Sequence, residues 1–287
     1  MSYSAAVDQL NAMAPELYVS QGQPRRKFSL DEIRILLAAL GNPHRRFPSV
    51  LIAGTNGKGS TAATLASILT ASGIRTGLYT SPHLARANER IRLDRAEIAD
   101  DAFASLYFRV HDAARQLVLD GQLPQLPSYF EVLTAQAFLH FAQKRVDIAV
   151  LEVGMGGRLD ATNIVDPLLS VITDISLDHT EWLGSTIAAI AREKAGILRR
   201  RGTMITLPQH PEANQVLGEV AAEQSKTLAP LSDDLPLMET GLDSLCFAIL
   251  VARLEDALGT DPFTAAGDGR LPSTVGELIA FYDNALV

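Results

Sequence analysis

A glycine-rich stretch between an apolar run and a helical run contains the residue types that bind phosphate. The apolar run ends at Ala53 and the helical run begins at Ala62, so the order is strand, turn and helix. Glycines let backbone N–H groups close around phosphate oxygens, while Lys58 supplies a positive charge and Ser60 a hydroxyl for Mg²⁺. The loop is shorter than the usual nucleotide-binding loop, and the alternative is a plain glycine turn. The predicted nucleotide-binding residues are Gly54, Thr55, Asn56, Gly57, Lys58, Gly59 and Ser60.

Three further polar residues, Ser81, Glu152 and His179, each lie at or after the end of another apolar run. In an open parallel sheet the carboxyl ends of the strands meet at one edge, so we expect these residues to converge on the glycine-rich loop. Glu152 suits a metal ligand, although a strand-end carboxylate that only caps the backbone is the alternative. For His179 the alternatives are a metal ligand and a structural histidine. The remaining histidines, His44, His83, His111, His140 and His210, are interpreted as structural or surface residues.

The elements that position these residues alternate along the chain. Short apolar runs are typical of buried parallel strands, and longer amphipathic runs are typical of helices. The predicted strands are 50–53, 75–79, 147–153, 169–175 and, more weakly, 204–207, and the main helices are 101–119, 130–143 and 186–198. This alternation predicts an α/β fold of the P-loop type, with a mostly parallel sheet flanked by helices.

Composition limits the function classes. The chain has 287 residues, 47% of them apolar, and a net charge of −8. The acidic balance argues against a general nucleic-acid binder, which needs a basic surface. The single cysteine, Cys246, excludes an internal disulfide and is interpreted as a buried thiol. No signal pattern or long uncharged apolar run is present, so we expect a cytoplasmic protein without a membrane partner.

Five stretches in a fixed order resemble one known family. They are AGTNGKGS (53–60), TSPHL (80–84), LEVGMGGRLDATN (151–163), DHTEWLG (178–184) and EKAGI (193–197). Together they are similar to folylpolyglutamate synthase/dihydrofolate synthase, a family of the Mur ligase superfamily. The resemblance covers about residues 10–209, and it implies an ATP-dependent ligase that joins glutamate to a folate-type carboxylate through an acyl phosphate.

The resemblance also implies roles for single residues. Lys58 would contact the β and γ phosphates of ATP, and Ser60, Ser81 and Glu152 would surround the first Mg²⁺ ion. His179 would bind a second metal ion. Lys194 matches a lysine that the family carbamylates into a metal ligand, although by itself it would be a solvated helix lysine. The positions that match those near the pterin-bearing substrate are Ser128, Phe130, Arg158, Asp160 and Ala161, of which Ser128 could simply begin a helix.

The pattern of the family breaks in one respect. Its members are longer and carry a second α/β domain, whose Asp-Gly-Ala-His-Asn-Pro type of motif we do not find in this sequence. Closure of two domains excludes water and completes such a site. We therefore expect an incomplete ATP-binding domain at 1–210, with nucleotide and Mg²⁺ binding retained.

The segment 211–287 has a different character. Gly241-Leu242-Asp243-Ser244-Leu245 resembles the phosphopantetheine attachment site of acyl and peptidyl carrier proteins, and Ser244 would carry 4′-phosphopantetheine. The expected partners are a phosphopantetheinyl transferase and acyl-loading enzymes. An ordinary helix N-cap at Ser244 is the alternative. Predicted helices are 212–226, 244–258 and 274–286, and the first of these could belong either to the ligase-like domain or to the carrier-like bundle.

Three hypotheses follow. The first is a ligase-family domain that binds ATP and Mg²⁺, fused to a carrier-like segment. The second is a non-catalytic carrier or scaffold, whose ligase-like half only binds nucleotide or docks a partner. The third is an active ligase whose missing domain comes from a separate chain.

Overall fold

The computed structural model describes residues 2–13, 29–200, 202–224, 233–234, 236–237, 251 and 272–283. The chain divides into two compact units, residues 1–225 and residues 226–287. Each unit is described by itself.

A seven-stranded sheet organises the first unit. Its strands are β1 Ser49–Ala53, β2 Thr76–Tyr79, β3 Ile91–Leu93, β4 Ala96–Glu97, β5 Ile148–Glu152, β6 Leu169–Ile172 and β7 Thr203–Thr206. They lie in the order β4-β3-β2-β5-β1-β6-β7. The five strands from β2 to β7 in this order are parallel, and β3 and β4 form an antiparallel edge. The predicted α/β fold with a mostly parallel sheet is therefore confirmed.

Helices cover both faces of the sheet. All five residues of β1 are buried, because its alternate side chains pack into two separate apolar clusters. Val50 and Ile52 pack with the helix that follows the strand, and Leu51 and Ala53 lie in the larger core on the other face. A strand buried on both faces has no polar alternation, which explains its continuous apolar sequence. The helices are α1 Tyr3–Asn11, α2 Asp31–Ala39, α3 Lys58–Ala71, α4 Asp100–Leu119, α5 Tyr129–Lys144, α6 Thr180–Leu183, α7 Ile187–Ala195, α8 Pro211–Gln224 and, in the second unit, α9 Val275–Asp283.

The antiparallel pair β3–β4 was not among the predicted strands. Its turn places Asp94 at φ 47° and Arg95 at φ 75°. Two-residue hairpin turns of this kind normally carry Asn-Gly or Gly-Gly, because both central residues need a positive φ. An Asp-Arg turn lacks these residues, so turn-residue preferences do not predict the hairpin.

Helix α8 packs against α7 in the first unit. Its apolar residues Ala213, Val216 and Leu217 are buried in the main core. From the sequence, this helix could belong either to the ligase-like domain or to the carrier-like bundle, which we expected to begin at residue 211. In the structure it is part of the compact unit that ends at residue 225.

The described part of the second unit is small. Leu237, Leu278 and Tyr282 form an apolar cluster, and Tyr282 Oη donates to Val251 O at 3.5 Å. Helix α9 lies within the predicted segment 274–286. Ser244, Cys246 and all of the predicted helix 244–258 except Val251 lie outside the described residues. Within the described residues, none of the helices combines the length and apolar character that crossing a membrane would need.

Candidate active site

The glycine-rich loop delivers the chain from β1 directly into α3. Gly57 has a φ of +81° and precedes the first helical residue, Lys58. No side chain caps this helix end, and the first intrahelical bond comes from Thr61 N to Gly57 O at 2.9 Å. The first N–H groups of an α-helix have no acceptor within the helix and lie at its positive end. The turn at Lys58, Gly59 and Ser60 is therefore built to receive an anion.

The outer side of the loop is tied to the segment that follows β6. Asp174 O accepts from Thr55 N at 2.6 Å, and Asp174 Oδ2 accepts from Asn56 Nδ2 at 2.8 Å. Thr55 Oγ1 also donates to Ser176 O at 3.0 Å. At Gly54 a Cβ atom would lie 1.8 Å from the Thr173 Oγ1 atom, so only glycine fits there. Thr55 and Asn56, which we expected to bind nucleotide, thus use their side chains to hold the loop.

Two lysines approach this loop from different helices. Lys58 Nζ donates to Gly54 O at 3.0 Å and to Thr55 O at 3.1 Å. Lys194 Nζ, from α7, donates to the same Gly54 oxygen at 2.7 Å and is only 3% exposed. Burial, together with the positive charge of Lys58, lowers the pKa of Lys194 to about 8, while Asp178 opposes the shift. Lys194 is therefore a buried amine that loses its proton at a lower pH than an exposed lysine does.

Glu152 lies at the end of β5, beside the first turn of α3. A Cβ atom at Gly59 would lie 3.4 Å from both carboxylate oxygens of Glu152. Glu152 Oε2 accepts from Ser81 N at 2.9 Å, so the segment after β2 meets β5 at this point. Burial raises the pKa of Glu152, and the Ser81 N–H and the charges of Lys58 and Arg90 oppose the rise. The strand-end carboxylate is thus held at the helix end that would carry phosphate.

His179 follows Asp178 at the start of α6. Its φ is 46°, its N–H donates to Asp178 Oδ1 at 2.8 Å, and its side chain is 44% exposed. No group of three or more His, Cys, Asp or Glu side chains that could hold a metal ion occurs in the described residues. Mg²⁺ usually keeps several waters and bridges one or two carboxylates to substrate phosphates. The Glu152 carboxylate, with the hydroxyls of Ser60 and Ser81 on the neighbouring segments, fits that kind of site.

A pocket of about 610 Å³ opens beside this arrangement. Its lining is mostly apolar and aromatic, and Phe130 is the predicted substrate residue that belongs to it. Apolar walls with few polar groups suit a planar organic ligand. The lining residues are Asn11, Met13, Ser81, Pro82, Arg90, Tyr129, Phe130, Gly154, Met155 and His179.

Two predicted substrate residues act as helix caps in this structure. Ser128 is 3% exposed, and Glu131 N donates to its hydroxyl at 3.3 Å while Ser128 N donates to Glu131 Oε2 at 2.7 Å. This capping box begins α5, as the simpler alternative for Ser128 proposed. Asp160 is 7% exposed and accepts from Met155 N at 3.0 Å. It also accepts from Thr162 N at 2.9 Å, and burial raises its pKa.

Arg158 lines a second, smaller cavity of about 100 Å³ together with Asp160 and Trp182. Its guanidinium pairs with Glu193 Oε1, with an Nη2–Oε1 distance of 2.9 Å. Its backbone N–H donates to Glu193 O at 2.8 Å, so the loop after β5 is bonded twice to the end of α7. Ala161 is buried in the main core beside this loop.

A family model described as the Mur ligase middle domain matches residues 52–229. The chain belongs to the Mur ligase family. The match includes the loop at 54–60, Glu152, Lys194 and helix α8. The family resemblance expected from the motifs is confirmed at this level.

Three of the proteins that this Mur ligase chain resembles are folylpolyglutamate synthases. The chain is 43% identical over 201 residues to the folylpolyglutamate synthase of Lacticaseibacillus casei, covering 69% of this chain and 47% of the relative. The solved structure of Mycobacterium tuberculosis folylpolyglutamate synthase complexed with ADP and AMPPCP is 38% identical, with a TM-score of 0.69 over 78% of this chain and 49% of that one. An FPGS–AMPPCP–folate complex is 39% identical, with a TM-score of 0.70 over 78% of this chain and 52% of that one. The Mur ligase chain thus spans about half the length of the relatives it matches.

Several pocket residues of this Mur ligase chain were not among the predicted site residues, and Arg90 and Tyr129 are the two with a direct contact to each other. Arg90 and Tyr129 line the pocket next to Phe130, and the Arg90 guanidinium carbon lies 5.5 Å from the centre of the Tyr129 ring. Tyr129 directly follows the predicted helix start at Ser128, which was a signal that could have placed it. Arg90 lies outside the five quoted motifs, so no pattern pointed to it.

Proposed function

We propose that this chain is the ATP-binding part of a carboxylate–amine ligase of the folylpolyglutamate/dihydrofolate synthase type. The observation that carries the proposal is the uncapped start of α3, which has Lys58 and the buried Glu152 carboxylate beside it. The relatives support the ligase class, since they include AMPPCP and folate complexes of folylpolyglutamate synthase.

In the proposed reaction a carboxylate oxygen of the acceptor attacks the γ-phosphorus of ATP. The bond to the β–γ bridging oxygen breaks, and ADP leaves with that electron pair. The amine nitrogen of glutamate then attacks the acyl carbon, loses a proton and displaces inorganic phosphate. Such chemistry needs positioning and charge neutralisation rather than a protein nucleophile.

The first turn of α3 would hold the phosphates of ATP. The N–H groups of Lys58, Gly59 and Ser60 supply fixed donors, and the Lys58 ammonium exchanges its two carbonyl acceptors for phosphate oxygens. Mg²⁺ would be held by Glu152 and by the hydroxyls of Ser60 and Ser81, and when bound it neutralises charge on the transferring phosphoryl group.

Lys194 and His179 are proposed to bind a second metal ion. A protonated lysine repels a cation, but the lowered pKa of Lys194, about 8, leaves roughly a tenth of it as free amine at pH 7, far more than an ordinary lysine has. A free amine can add CO₂ and become a carbamate, which carries the negative oxygen ligands that a divalent cation needs. His179 lies on the rim of the same pocket as Ser81.

The acceptor is proposed to be a folate-type carboxylate, and the 610 Å³ pocket is its proposed site. Phe130 supplies an aromatic wall. The four other predicted substrate residues, Ser128, Arg158, Asp160 and Ala161, support the pocket walls through the cap of α5 and the loop after β5.

The test is ADP release by the purified chain, measured with dihydropteroate or folate, with and without glutamate. ADP formation that requires both the acceptor and glutamate supports the ligase. AMPPCP binding without any turnover supports the alternative of a nucleotide-binding scaffold, or of a ligase completed by a separate chain.

We also propose that Ser244 carries 4′-phosphopantetheine. The Gly241–Leu245 sequence supports this, and the chain from residue 226 onward forms a compact unit of its own. Intact mass is measured after incubation with coenzyme A and a broad-specificity phosphopantetheinyl transferase, with Ser244→Ala as the control. One added arm, absent from the control, supports the carrier segment, and no addition contradicts it.

A further inference from the structure

Arg90 is a buried cation inside the candidate active site whose partners do not neutralise it. Arg90 is only 8% exposed and lines the 610 Å³ pocket. Among the described residues no carboxylate lies within 4.0 Å of its guanidinium, and Nε donates to a neutral acceptor, His83 Nδ1, at 2.8 Å. Leaving a buried charge without a counter-charge is costly, so this arrangement is explained best by an anion that completes it.

His83 and Tyr129 fix the orientation of the Arg90 guanidinium. Because His83 accepts through Nδ1, its imidazole is neutral and carries the ring proton on Nε2. The Tyr129 ring lies beneath the guanidinium at 5.5 Å. With Nε occupied and one face covered, the two terminal nitrogens remain for a planar, two-oxygen anion.

The position of Arg90 indicates which kind of anion would bind to its guanidinium. Phosphate has its own donors at the start of α3, and within the described residues the pocket takes no lining from the loop at 54–60. Ser81 lines the same pocket as Arg90, and its N–H donates to Glu152 Oε2 at 2.9 Å, so the pocket reaches the Glu152 carboxylate. The anion therefore enters from the pocket, beside aromatic walls, and approaches the phosphate-binding end.

We propose that Arg90, oriented by His83, binds the reacting carboxylate of the acceptor when that carboxylate is attached to an aromatic ring. This inference rests on the proposed function for the identity of the acceptor. Arg90 would bring the carboxylate up to the triphosphate by offsetting the repulsion between two anions. His83, which was interpreted as a structural or surface residue, becomes a positioning residue.

The test is isothermal titration calorimetry on the full chain, with AMPPCP and Mg²⁺ present. The probes are pteroate, its carboxamide, benzoate and benzamide. We expect the wild type to bind each carboxylate at least about tenfold tighter than the matching amide. Arg90→Gln should weaken pteroate binding by about 10- to 100-fold and leave the carboxamide and AMPPCP affinities within about twofold.

Arg92→Gln is the matched control, since Arg92 lies two residues away, is partly buried and does not line the pocket. It should keep the wild-type preference for carboxylates. Equal losses for pteroate and its carboxamide in Arg90→Gln, or no preference for carboxylates in the wild type, would overturn the proposal.

Two further variants keep the test decisive if Arg90→Gln does not fold. Arg90→Lys keeps the positive charge but lacks the two terminal nitrogens of the guanidinium. His83→Gln removes the imidazole that orients the Arg90 side chain. Each should reduce the preference for carboxylates, and wild-type preference in both would contradict the proposal. If benzoate is preferred through Arg90 but pteroate binds no tighter than benzoate, the anion subsite stands and the folate assignment fails.

Discussion

Lys58 and Lys194 donate hydrogen bonds to the same backbone oxygen, that of Gly54, at 3.0 and 2.7 Å. One lysine belongs to the helix that follows the loop, and the other comes from a helix more than a hundred residues later. Two cations on one acceptor repel each other, and this repulsion contributes to the lowered pKa of Lys194. The charge state of Lys194 is therefore coupled to Lys58.

Lys58→Ala should weaken AMPPCP binding by about 10- to 100-fold, because a charge-assisted contact to phosphate is lost. Calorimetric titration with AMPPCP measures the change. Lys144→Ala, in the last turn of α5, is the control and should leave the affinity unchanged. An unchanged affinity in Lys58→Ala would show that the loop does not bind phosphate through this side chain.

Lys194→Met should fold and keep or gain stability at pH 7, because a buried cation is replaced by an apolar side chain. Gly54 O retains Lys58 as a donor in this variant. The pKa of Lys194 falls from 10.5 to about 8 on folding, so the unfolded chain binds this proton more tightly between those values. Wild-type stability should therefore rise by roughly 1–3 kcal/mol from pH 8 to 10.5 relative to the variant.

Urea denaturation of both proteins across that pH range measures the difference. Parallel pH profiles for wild type and Lys194→Met would show that Lys194 titrates normally, which contradicts the burial argument. Severe destabilisation of the variant at pH 7 would instead show that the hydrogen bond to Gly54 outweighs the cost of burying the charge.

Glu152→Gln should remove most of the Mg²⁺-dependent gain in AMPPCP affinity, at least about tenfold, because a neutral amide is a poor ligand for a hard cation. Affinity without Mg²⁺ should stay within about twofold, since the α3 donors remain. The measurement is AMPPCP titration with Mg²⁺ and with EDTA. Glu97→Gln, on the exposed edge strand β4, is the control and should keep the full Mg²⁺ dependence.

Acid should destabilise the fold through His44 and His140. Burial lowers the pKa of each to about 4 from 6.5, so the unfolded chain takes up these protons first as pH falls through that window. The free energy of unfolding should drop by roughly 1–3 kcal/mol per histidine. Glu152 and Asp160 act in the opposite direction, because burial raises the pKa of each.

His44→Gln and His140→Gln should therefore each show a shallower loss of stability between pH 6.5 and 4 than the wild type. The exposed His210→Gln serves as the control and should follow the wild-type profile. The comparison uses urea unfolding midpoints at matched ionic strength. A steeper acid loss in either buried variant would reverse the sign argued here.

The five parallel strands were predicted from the sequence to within a few residues, and the clearest of them, β1 and β5, are almost wholly buried and therefore apolar along most of their length. The hairpin at Asp94 and Arg95 was missed, since its turn residues carry no glycine. The family motifs predicted that Glu152 and Lys194 belong to the site. The sheet topology explains why Glu152, at the end of β5, lies beside the glycine-rich loop.

What the sequence did not show was the use of each side chain. Ser128 and Asp160 match substrate positions of the family motif, but the side chain of each accepts a hydrogen bond as a local helix N-cap. Their hydrogen bonds depend on backbone geometry that a pattern does not contain. Arg90 was missed because a single arginine becomes informative only when its burial and its neighbours are known.

The hydrogen bonds that hold the glycine-rich loop continue into the segment that follows β7. Gln209, just after β7, donates to Thr173 O at 2.8 Å and accepts from Ile175 N at 3.0 Å. This is the segment whose next carbonyl, Asp174 O, holds Thr55 N. The polypeptide that leaves the sheet toward α8 is thus part of the same hydrogen-bonded unit as the loop. Nucleotide binding at the loop should therefore change the amide-exchange rate of Ile175, whose N–H donates to Gln209 rather than to the loop itself.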